Sequence, residues 1–258
     1  MVGSDLYNDI IAFEKPVLAF GDPGQLPPVK DGRKPFGPDI ILTEIHRQAA
    51  NNPIIKLAHH VRHEGFLEKG VWGDSRVIGQ SEYTSELLLQ HDQILSFTHA
   101  TRKNINRRVR ELKGFTGRYP KSGEKLVCRK NNPESKFFNG AMYMATDDTR
   151  DSQFGVYASI DNGVSNLDSV PLYKQIFEGY DREIPKHEEW SFMEKRNLDE
   201  FDFGYCITGH SSQGSEWDSV LVIDETFKMQ SEHARKEWLY TAITRAAKRV
   251  TVYKLKTE

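Results

Sequence analysis

The stretch FGYCITGHSSQGSEWDSVLVIDETFKMQSEHARKEWLYTAITRAAKRVTVY, residues 203–253, decides which fold the sequence predicts. Its apolar runs predict strands over 203–208, 220–223 and 249–253, and the spacing of its apolar residues predicts a helix over 232–246. Strands that alternate with helices form a parallel sheet with right-handed crossovers. The stretch therefore predicts an α/β domain.

The same alternation is present upstream. It predicts a helix over 6–13, a buried strand over 17–20, a helix over 51–64, a strand over 93–97 and a helix over 101–113. Ile105, Val109 and Leu112 share one side of the last helix and are its expected buried face. The turn Gly21–Gly24 follows the strand at 17–20. In open α/β sheets, ligands bind at such strand ends.

The composition changes between residues 116 and 195, where glycine, asparagine, aspartate and aromatic residues dominate. Short alternating runs at 125–129, 141–145 and 154–160 predict a small antiparallel β unit. Aromatic residues in such a unit are usually its core, although Phe137, Phe138 and Tyr143 could also stack on bases. We therefore predict a β unit inserted into the α/β domain.

The chain has 258 residues, and its 35 basic and 37 acidic side chains give a net charge of −2. This charge excludes a globally basic nucleic-acid binder but leaves local basic surfaces open. Cys128 and Cys206 are too few and too far apart for a disulfide framework or a cysteine-rich zinc site. No apolar run spans a bilayer and no secretory signal is present, so we expect a cytoplasmic protein without a membrane partner.

A phosphate-binding loop, G-x-x-x-x-G-K followed by serine or threonine, is absent from the sequence. Gly209 and Gly214 have the required spacing, but Ser215 stands where the loop needs lysine. The acidic strand end Leu221–Glu225 fits either a metal site or a capped surface strand, and we favour the capped strand. The sequence therefore predicts no metal ligands of its own.

Four segments carry a more specific pattern. They are GDPGQLPPV at 21–29, LTEIHRQ at 42–48, YCITGHSSQGSE at 205–216 and LYTAITRA at 239–246. In this order they resemble motifs III, IV, V and VI of superfamily 1 helicases. The double proline after Gln25 and Leu26, together with the inserted β unit, is most similar to the RecD-like and phage Dda-like branch, which moves 5′ to 3′.

The resemblance implies an ATP site with Mg²⁺. Arg245 resembles the arginine finger, Arg47 the second γ-phosphate arginine and Gln25 the γ-phosphate sensor. Glu216 resembles the acid that contacts the nucleotide sugar. The full set of ATP-binding residues implied is Gly21, Asp22, Gln25, Arg47, Gly214, Glu216 and Arg245. For a lone arginine, a surface salt bridge would be the simpler interpretation.

The resemblance also implies contacts to single-stranded DNA. The expected contact residues are Thr98, His99, Arg102, Thr208 and His210. Two positions depart from the family, because His99 replaces the usual asparagine and Ser211 the usual lysine. The helix after Thr101 carries a basic cluster of Arg102, Lys103, Arg107, Arg108, Arg110 and Lys113. This cluster fits a DNA-binding surface and a solvated helix face equally well.

The family pattern further predicts the domain layout. Residues 1–37 would be a remnant of a first RecA-like domain, 38–115 and 196–258 a second RecA-like domain, and 116–195 an inserted SH3-like β domain. The phosphate loop and the Mg²⁺-binding acids of the family belong to the first domain. We therefore expect a missing N-terminal half to supply them, for example as a separate chain. We also expect the first 36 residues to pack poorly and to exchange their amides fast.

The resulting prediction is the C-terminal motor portion of an ATP-dependent 5′–3′ DNA helicase, an ATPase that is inactive as this chain alone. Two alternatives stay open. One is a catalytically silent module that binds single-stranded DNA. The other is a regulatory or scaffolding fragment that binds a replication protein through the β insertion.

Overall fold

The structure is a computed structural model, and it describes residues 2–28, 37–41, 52–152, 155–181, 196–229 and 231–255. The chain forms two compact units. The α/β unit comprises Met1–Leu87, His91–Phe97 and Thr208–Glu258, and the β-rich unit comprises Leu88–Gln90 and Thr98–Ile207.

Five helices and twelve strands are present in the described residues. The helices are α1 (Ser4–Ile11), α2 (Pro53–Glu64), α3 (His99–Leu112), α4 (Gln175–Glu178) and α5 (Glu232–Ile243). The first six strands are β1 (Gly70–Trp72), β2 (Ser75–Ile78), β3 (Gln93–Ser96), β4 (Lys125–Cys128), β5 (Met142–Ala145) and β6 (Arg150–Ser152). The others are β7 (Gly155–Asp161), β8 (Asn166–Leu172), β9 (Phe201–Phe203), β10 (Cys206–Thr208), β11 (Trp217–Asp224) and β12 (Ala246–Lys254).

The sheet of the α/β unit has the strand order β1-β2-β12-β11-β3-β10. Strand β11 is parallel to both of its neighbours, β12 and β3, and β12 is parallel to β2. The run Val220–Ile223 in β11 is fully buried, as expected for a central parallel strand covered on both faces. The predicted parallel α/β sheet is therefore confirmed.

Helix α2 shows why the predicted helix over 51–64 forms. The side chain of Asn52 accepts a hydrogen bond from the amide of Ile54, and Pro53 occupies the first turn. The helix ends at Gly65, whose φ of 81° places it in the left-handed region. Its buried side chains are Ile54, Leu57, Ala58 and Val61. Asn51 lies outside the described residues.

The buried strand predicted over 17–20 is wrong. This run forms no strand, and Leu18 and Phe20 are 81% and 88% exposed. No strand of the described residues pairs with it, so its apolar side chains have no sheet face to cover. Helix α1 likewise buries none of its side chains, as expected of a poorly packed N-terminal segment. The expectation is wrong for the loop that follows, where Gly24 and Leu26 are buried. The amide exchange of the first 36 residues stays a prediction.

The β-rich unit contains an antiparallel sheet with the order β6-β7-β5-β4-β9, and β8 pairs with β7. The runs predicted at 125–129, 141–145 and 154–160 correspond to β4, β5 and β7. The rings of Phe137, Tyr143 and Phe201 meet edge to face, with Phe137 and Phe201 centroids 4.9 Å apart. Phe137 and Tyr143 therefore belong to the core, whereas Phe138 is 55% exposed.

The single strand predicted over 203–208 is two strands. Strand β9 pairs with β4, while β10 belongs to the other sheet. Gly204 separates them where the chain passes close to β4, since a Cβ at this position would lie 3.0 Å from the carbonyl carbon of Leu126. The prediction also missed β1 and β2, which are only three and four residues long.

The β-rich unit is larger than the insertion predicted over 116–195, because it also contains α3 and β9. Helix α3 joins this unit through polar side chains at every fourth position, Arg102, Asn106 and Arg110, all of which are buried. Of the expected apolar face, only Val109 is fully buried. Among the described residues, no helix is long and apolar enough to cross a membrane.

Candidate functional site

Three segments of the α/β unit meet at the main chain of Leu26. The Leu26 amide donates to Oγ1 of Thr241 at 3.0 Å, and the Leu26 carbonyl accepts from Nε2 of Gln213 at 3.1 Å. The 21–28 loop is therefore held between the last turn of α5 and the 209–216 loop. These are the segments that the sequence analysis singled out as motifs III, VI and V.

Asp22 organises the start of the 21–28 loop. Its Oδ1 accepts from the amide of Gly24 at 2.8 Å, and its Oδ2 accepts from the hydroxyl of Tyr240 at 2.8 Å. The side-chain amide of Gln25 lies 3.4 Å from the same Oδ2, which makes a longer, weaker hydrogen bond. A Cβ at Gly24 would lie 3.1 Å from the Tyr240 ring, so this close approach explains the glycine.

Arg245 has only uncharged partners for its guanidinium. Nε donates to the carbonyl of Thr241 and Nη1 to the carbonyl of Ser215, both at 3.1 Å, and Nη2 donates to Oγ1 of Thr244 at 3.3 Å. In the part of the chain that the structure describes, no carboxylate lies within ion-pair distance of this guanidinium. Among the described residues, Arg245 is thus a half-buried cation without an ion-pair partner.

Burial governs the pKa values of the two ionisable groups here. Burial lowers the pKa of Arg245, and the charges of Glu216 and Asp22 oppose this effect. Burial raises the pKa of Tyr240 to about 12, and its hydrogen bond to Asp22 acts in the same direction. Tyr240 therefore keeps its proton at neutral pH and donates it to the carboxylate.

The remaining predicted ATP-site residues are placed as follows. Gly214 has a φ of 86°, which favours glycine. Gly21 and Glu216 are exposed. Arg47 lies outside the described residues, so its role as a second phosphate-binding arginine stays a prediction.

Thr208 and His210, predicted to contact DNA, lie at the start of the 209–216 loop. The hydroxyls of Thr208 and Ser211 are 2.9 Å apart and share a hydrogen bond. Burial lowers the pKa of His210, so its imidazole is neutral at pH 7. Next to them, a Cβ at Gly209 would lie 2.6 Å from the indole nitrogen of Trp238. The hydroxyls of Thr208 and Ser211 and the imidazole of His210 are therefore uncharged hydrogen-bonding groups at the start of this loop.

Thr98 and His99 belong to the β-rich unit, where they begin helix α3. Thr98 is the N-cap, and its Oγ1 accepts from the amide of Thr101 at 3.2 Å. His99 is exposed, and its pKa is lowered by partial burial and by the charges of Arg102 and Arg129. The DNA contacts of Thr98 and His99 stay a prediction.

Arg102, which was also predicted to contact DNA, lies inside the β-rich unit. It forms an ion pair with Asp202, and both side chains are at most 5% exposed. Asp202 also accepts from the hydroxyl of Tyr180 at 2.6 Å. Arg110 is buried in the same way against Glu124, with Nε and Oε1 2.7 Å apart. For these two arginines, the geometry favours a role in the fold over a DNA contact.

The rest of the basic cluster lies nearer the surface. Arg108 pairs with Glu111, Lys103 donates to the carbonyl of Gly179, and Arg107 donates to the carbonyl of Tyr180. The basic surface that α3 can present is therefore smaller than its six cationic residues suggest. The sequence could not reveal this, because the carboxylate partners lie on other segments.

The acidic strand end of β11 is a capped strand. Oδ1 of Asp224 accepts from the amide of Thr226 at 3.0 Å and from its hydroxyl at 2.7 Å. Glu225 is buried and forms an ion pair with Lys228. Across the described ranges, no group of three or more histidine, cysteine or acidic residues could hold a metal ion.

Comparison with known proteins agrees with these motifs. Residues 203–253 match the model of the UvrD-like helicase C-terminal domain. The ATP-dependent RecD2 DNA helicase of Deinococcus radiodurans is 27% identical over 283 aligned residues. That alignment covers 96% of this chain but 34% of the relative, so the chain spans about a third of the relative's length.

Two solved structures share the fold. A Pif1 helicase from Candida albicans has a TM-score of 0.52 at 18% identity, over 92% of this chain and 63% of that one. A Pif1 helicase from Bacteroides, solved in complex with ADP-AlF3 and ssDNA, has a TM-score of 0.50 at 16% identity. It matches over 92% of this chain and 62% of its own.

The class of protein to which the motifs, the family match and the RecD2 relative are similar is the superfamily 1 helicases. Within that class, the sequence is similar to the C-terminal portion of a RecD2 helicase, and the fold is similar to that of Pif1 helicases.

Proposed function

We propose that the chain is the C-terminal motor portion of an ATP-dependent helicase that moves 5′ to 3′ on single-stranded DNA. The observation that carries this proposal is the environment of Arg245, whose guanidinium is bonded only to neutral oxygens. Phosphoryl transfer needs positive charge on the γ-phosphate in the transition state. A pre-positioned arginine without a counter-ion fits this requirement.

The neighbouring residues fit one side of an ATP site. In this proposal Gln25 senses the γ-phosphate, Glu216 contacts the sugar, and Gly214 lets the main chain approach the nucleotide. Gly21, Asp22 and Arg47 complete the set. Mg²⁺, when bound with ATP, neutralises phosphate charge. In this proposal the phosphate loop and the metal-binding acids come from an N-terminal ATP-binding half, as the resemblance to the family implies.

The DNA-binding part of the proposal rests on the motif resemblance and is made for each unit by itself. Thr208 and His210 are the proposed contacts of the α/β unit. Thr98 and His99 are the proposed contacts of the β-rich unit. The β-rich unit would be the SH3-like insertion of the family. Support comes from the relatives, since the Bacteroides Pif1 helicase was solved with ssDNA. A soluble cytoplasmic motor fits all of these features.

An ATPase assay tests the proposal most simply. The chain is combined with an N-terminal ATP-binding half, either in one polypeptide or as two chains, and turnover is measured with and without single-stranded DNA. We expect DNA-stimulated turnover from the combination and none from the 258-residue chain alone. No turnover at any stoichiometry would contradict the proposal. Turnover by the chain alone that Arg245→Ala abolishes would contradict the need for a second half.

Direction of movement requires a separate assay. The assembled motor is incubated with ATP and an oligonucleotide that carries biotin and streptavidin at one end. Movement 5′ to 3′ displaces streptavidin from the 3′ end much faster than from the 5′ end. The reverse preference would assign the opposite polarity. Strand binding without any displacement would favour the catalytically silent DNA-binding module.

A further inference from the structure

We propose that Thr241 is a positioning residue that couples the 21–28 loop, which carries Gln25, to Arg245. The inference rests on the proposed function for the roles of Gln25 and Arg245, but the link itself is a property of the α/β unit. Neither the helicase motifs nor the comparisons assign a role to this side chain.

Thr241 contacts both partners at the same time. Its Oγ1 accepts from the amide of Leu26 at 3.0 Å, and its carbonyl accepts from Nε of Arg245 at 3.1 Å. Thr241 is fully buried within the last turn of α5, and a β-branched side chain in a helix has few rotamers. The two hydrogen bonds therefore hold the loop and the arginine in a fixed relation.

A second side chain, that of Gln213, also binds the main chain of Leu26. Nε2 of Gln213 donates to the Leu26 carbonyl at 3.1 Å, and the Leu26 side chain is buried. The main chain of Leu26 thus has its donor and its acceptor both satisfied by side chains of other segments. Because Gln25 directly precedes Leu26, its main chain cannot shift without breaking these bonds.

The side chain of Gln25 is held much more loosely than its main chain. Its amide lies 3.4 Å from Oδ2 of Asp22, at the long end for a hydrogen bond, and that oxygen already accepts from Tyr240 at 2.8 Å. Because its main chain is fixed and its side-chain amide is weakly bonded, Gln25 can exchange Asp22 for a phosphate oxygen as its hydrogen-bond partner. The arrangement therefore suits a sensor whose position is set by Thr241.

The link can be tested in the 258-residue chain itself, without ATP. Thr241→Val removes Oγ1 but keeps the shape and the carbonyl that bonds Arg245, and Thr241→Ser keeps Oγ1. Thr251→Val is the matched control, because its buried hydroxyl lies 2.9 Å from Nε2 of His91 in the same unit. NMR-detected exchange of the Leu26 amide should accelerate about tenfold or more in Thr241→Val alone.

The coupling is tested in the motor assembled with an ATP-binding half. A displaced sensor loop lowers kcat, and we expect a loss of about tenfold or more in Thr241→Val. KM for ATP should change little, because the lost interaction acts in the transition state. Thr241→Ser and Thr251→Val should remain close to the wild-type kcat.

The possible failures are distinguishable. An unchanged Leu26 exchange rate in Thr241→Val overturns the link. A Thr241→Ser variant as slow as Thr241→Val, or an equal loss in Thr251→Val, overturns the specific role of Oγ1. A rise in KM without a loss in kcat overturns the positioning role. Absence of turnover in the wild-type motor overturns the proposed function, and the coupling role with it.

Discussion

Arg245 in the α/β unit and Arg110 in the β-rich unit have opposite surroundings. Arg110 is buried and Arg245 is half-buried. Arg110 forms two hydrogen bonds to Glu124, at 2.7 and 2.9 Å, while the partners of Arg245 among the described residues are neutral oxygens. A paired buried arginine belongs to the fold, since removing it strands a buried carboxylate. An arginine without a counter-ion is available to an external anion. The comparison therefore assigns Arg110 to the stability of the fold and Arg245 to phosphate chemistry.

The largest expected effect is on turnover. Arg245→Ala in the assembled motor should reduce kcat by about 10³-fold or more, the usual contribution of an arginine finger. The free energy of unfolding should change little, because the lost partners are neutral: the half-buried Ser215 carbonyl, the intrahelical Thr241 carbonyl and the Thr244 hydroxyl. Steady-state ATPase with saturating DNA and urea titrations of the chain measure the two quantities.

Arg235→Ala is the matched control for this variant. Arg235 is on the same helix, is half-buried and donates to the carbonyl of Met229 at 2.8 Å. Its loss should leave kcat near the wild-type value. A similar loss of kcat in both variants would show that α5 is merely sensitive to substitution.

The second effect is a loss of stability, which is expected for Arg110 and not for Arg245. Arg110→Met should lower the free energy of unfolding of the β-rich unit by about 3–5 kcal/mol, because Glu124 is left buried and unpaired. Urea titration followed by the NMR signals of this unit measures the change. Arg108→Ala removes only the exposed pair with Glu111 and should cost less than about 1 kcal/mol. Equal losses of unfolding free energy in Arg110→Met and Arg108→Ala would contradict the assignment of Arg110 to the stability of the fold.

The sequence predicts the parallel sheet but not the ion pairs of the buried arginines, and the reason is physical. An apolar run such as Val220–Ile223 shows that a strand can form, but burial depends on neighbours. The run at 17–20 has the same character and no sheet partner among the described residues, so it is exposed. The basic pattern of α3 likewise cannot show that Arg102 faces Asp202, which lies 100 residues away.

The candidate site was only partly predictable for the same reason. Motif resemblance selected Gln25, Glu216 and Arg245 from their local sequence. It did not select Thr241 or Gln213, since their importance lies in contacts to Leu26 across 215 and 187 residues. Such contacts follow from the packing of α5 against the 21–28 loop, which no local pattern encodes.

A smaller effect is expected at Tyr240. Tyr240→Phe removes the hydrogen bond to Asp22 and should cost about 1 kcal/mol of stability at neutral pH. Because the folded pKa of about 12 exceeds the ordinary value of 10.0, Tyr240 stabilises the fold below pH 10. This contribution is lost as the pH rises through 12. Unfolding titrations should show the wild-type advantage over the variant shrinking across this window, and a constant advantage would contradict the assignment.

The smallest effect is a pH dependence from His210. Burial lowers its folded pKa below the ordinary 6.5, so the neutral form stabilises the fold above pH 6.5. This contribution is lost as the pH falls through the lowered folded pKa. Urea titrations at about pH 7.5 and about pH 5.5 should show less pH dependence in His210→Gln than in the wild type. The pKa of His91 is also lowered by burial, and His91 contributes the same pH dependence of stability in the wild type and in the variant.

The central claim is that Arg245 binds the γ-phosphate of ATP and that Arg102 and Arg110 do not. One NMR spectrum tests this claim. This chain is labelled with ¹⁵N-arginine, assembled with an unlabelled ATP-binding half and DNA, and its guanidinium Nε–H signals are recorded. ADP with aluminium fluoride, a mimic of the phosphoryl-transfer transition state, is then added. The Arg245 signal should shift strongly while those of Arg102 and Arg110 stay in place. An unchanged Arg245 signal in a complex that has bound the mimic would contradict the account.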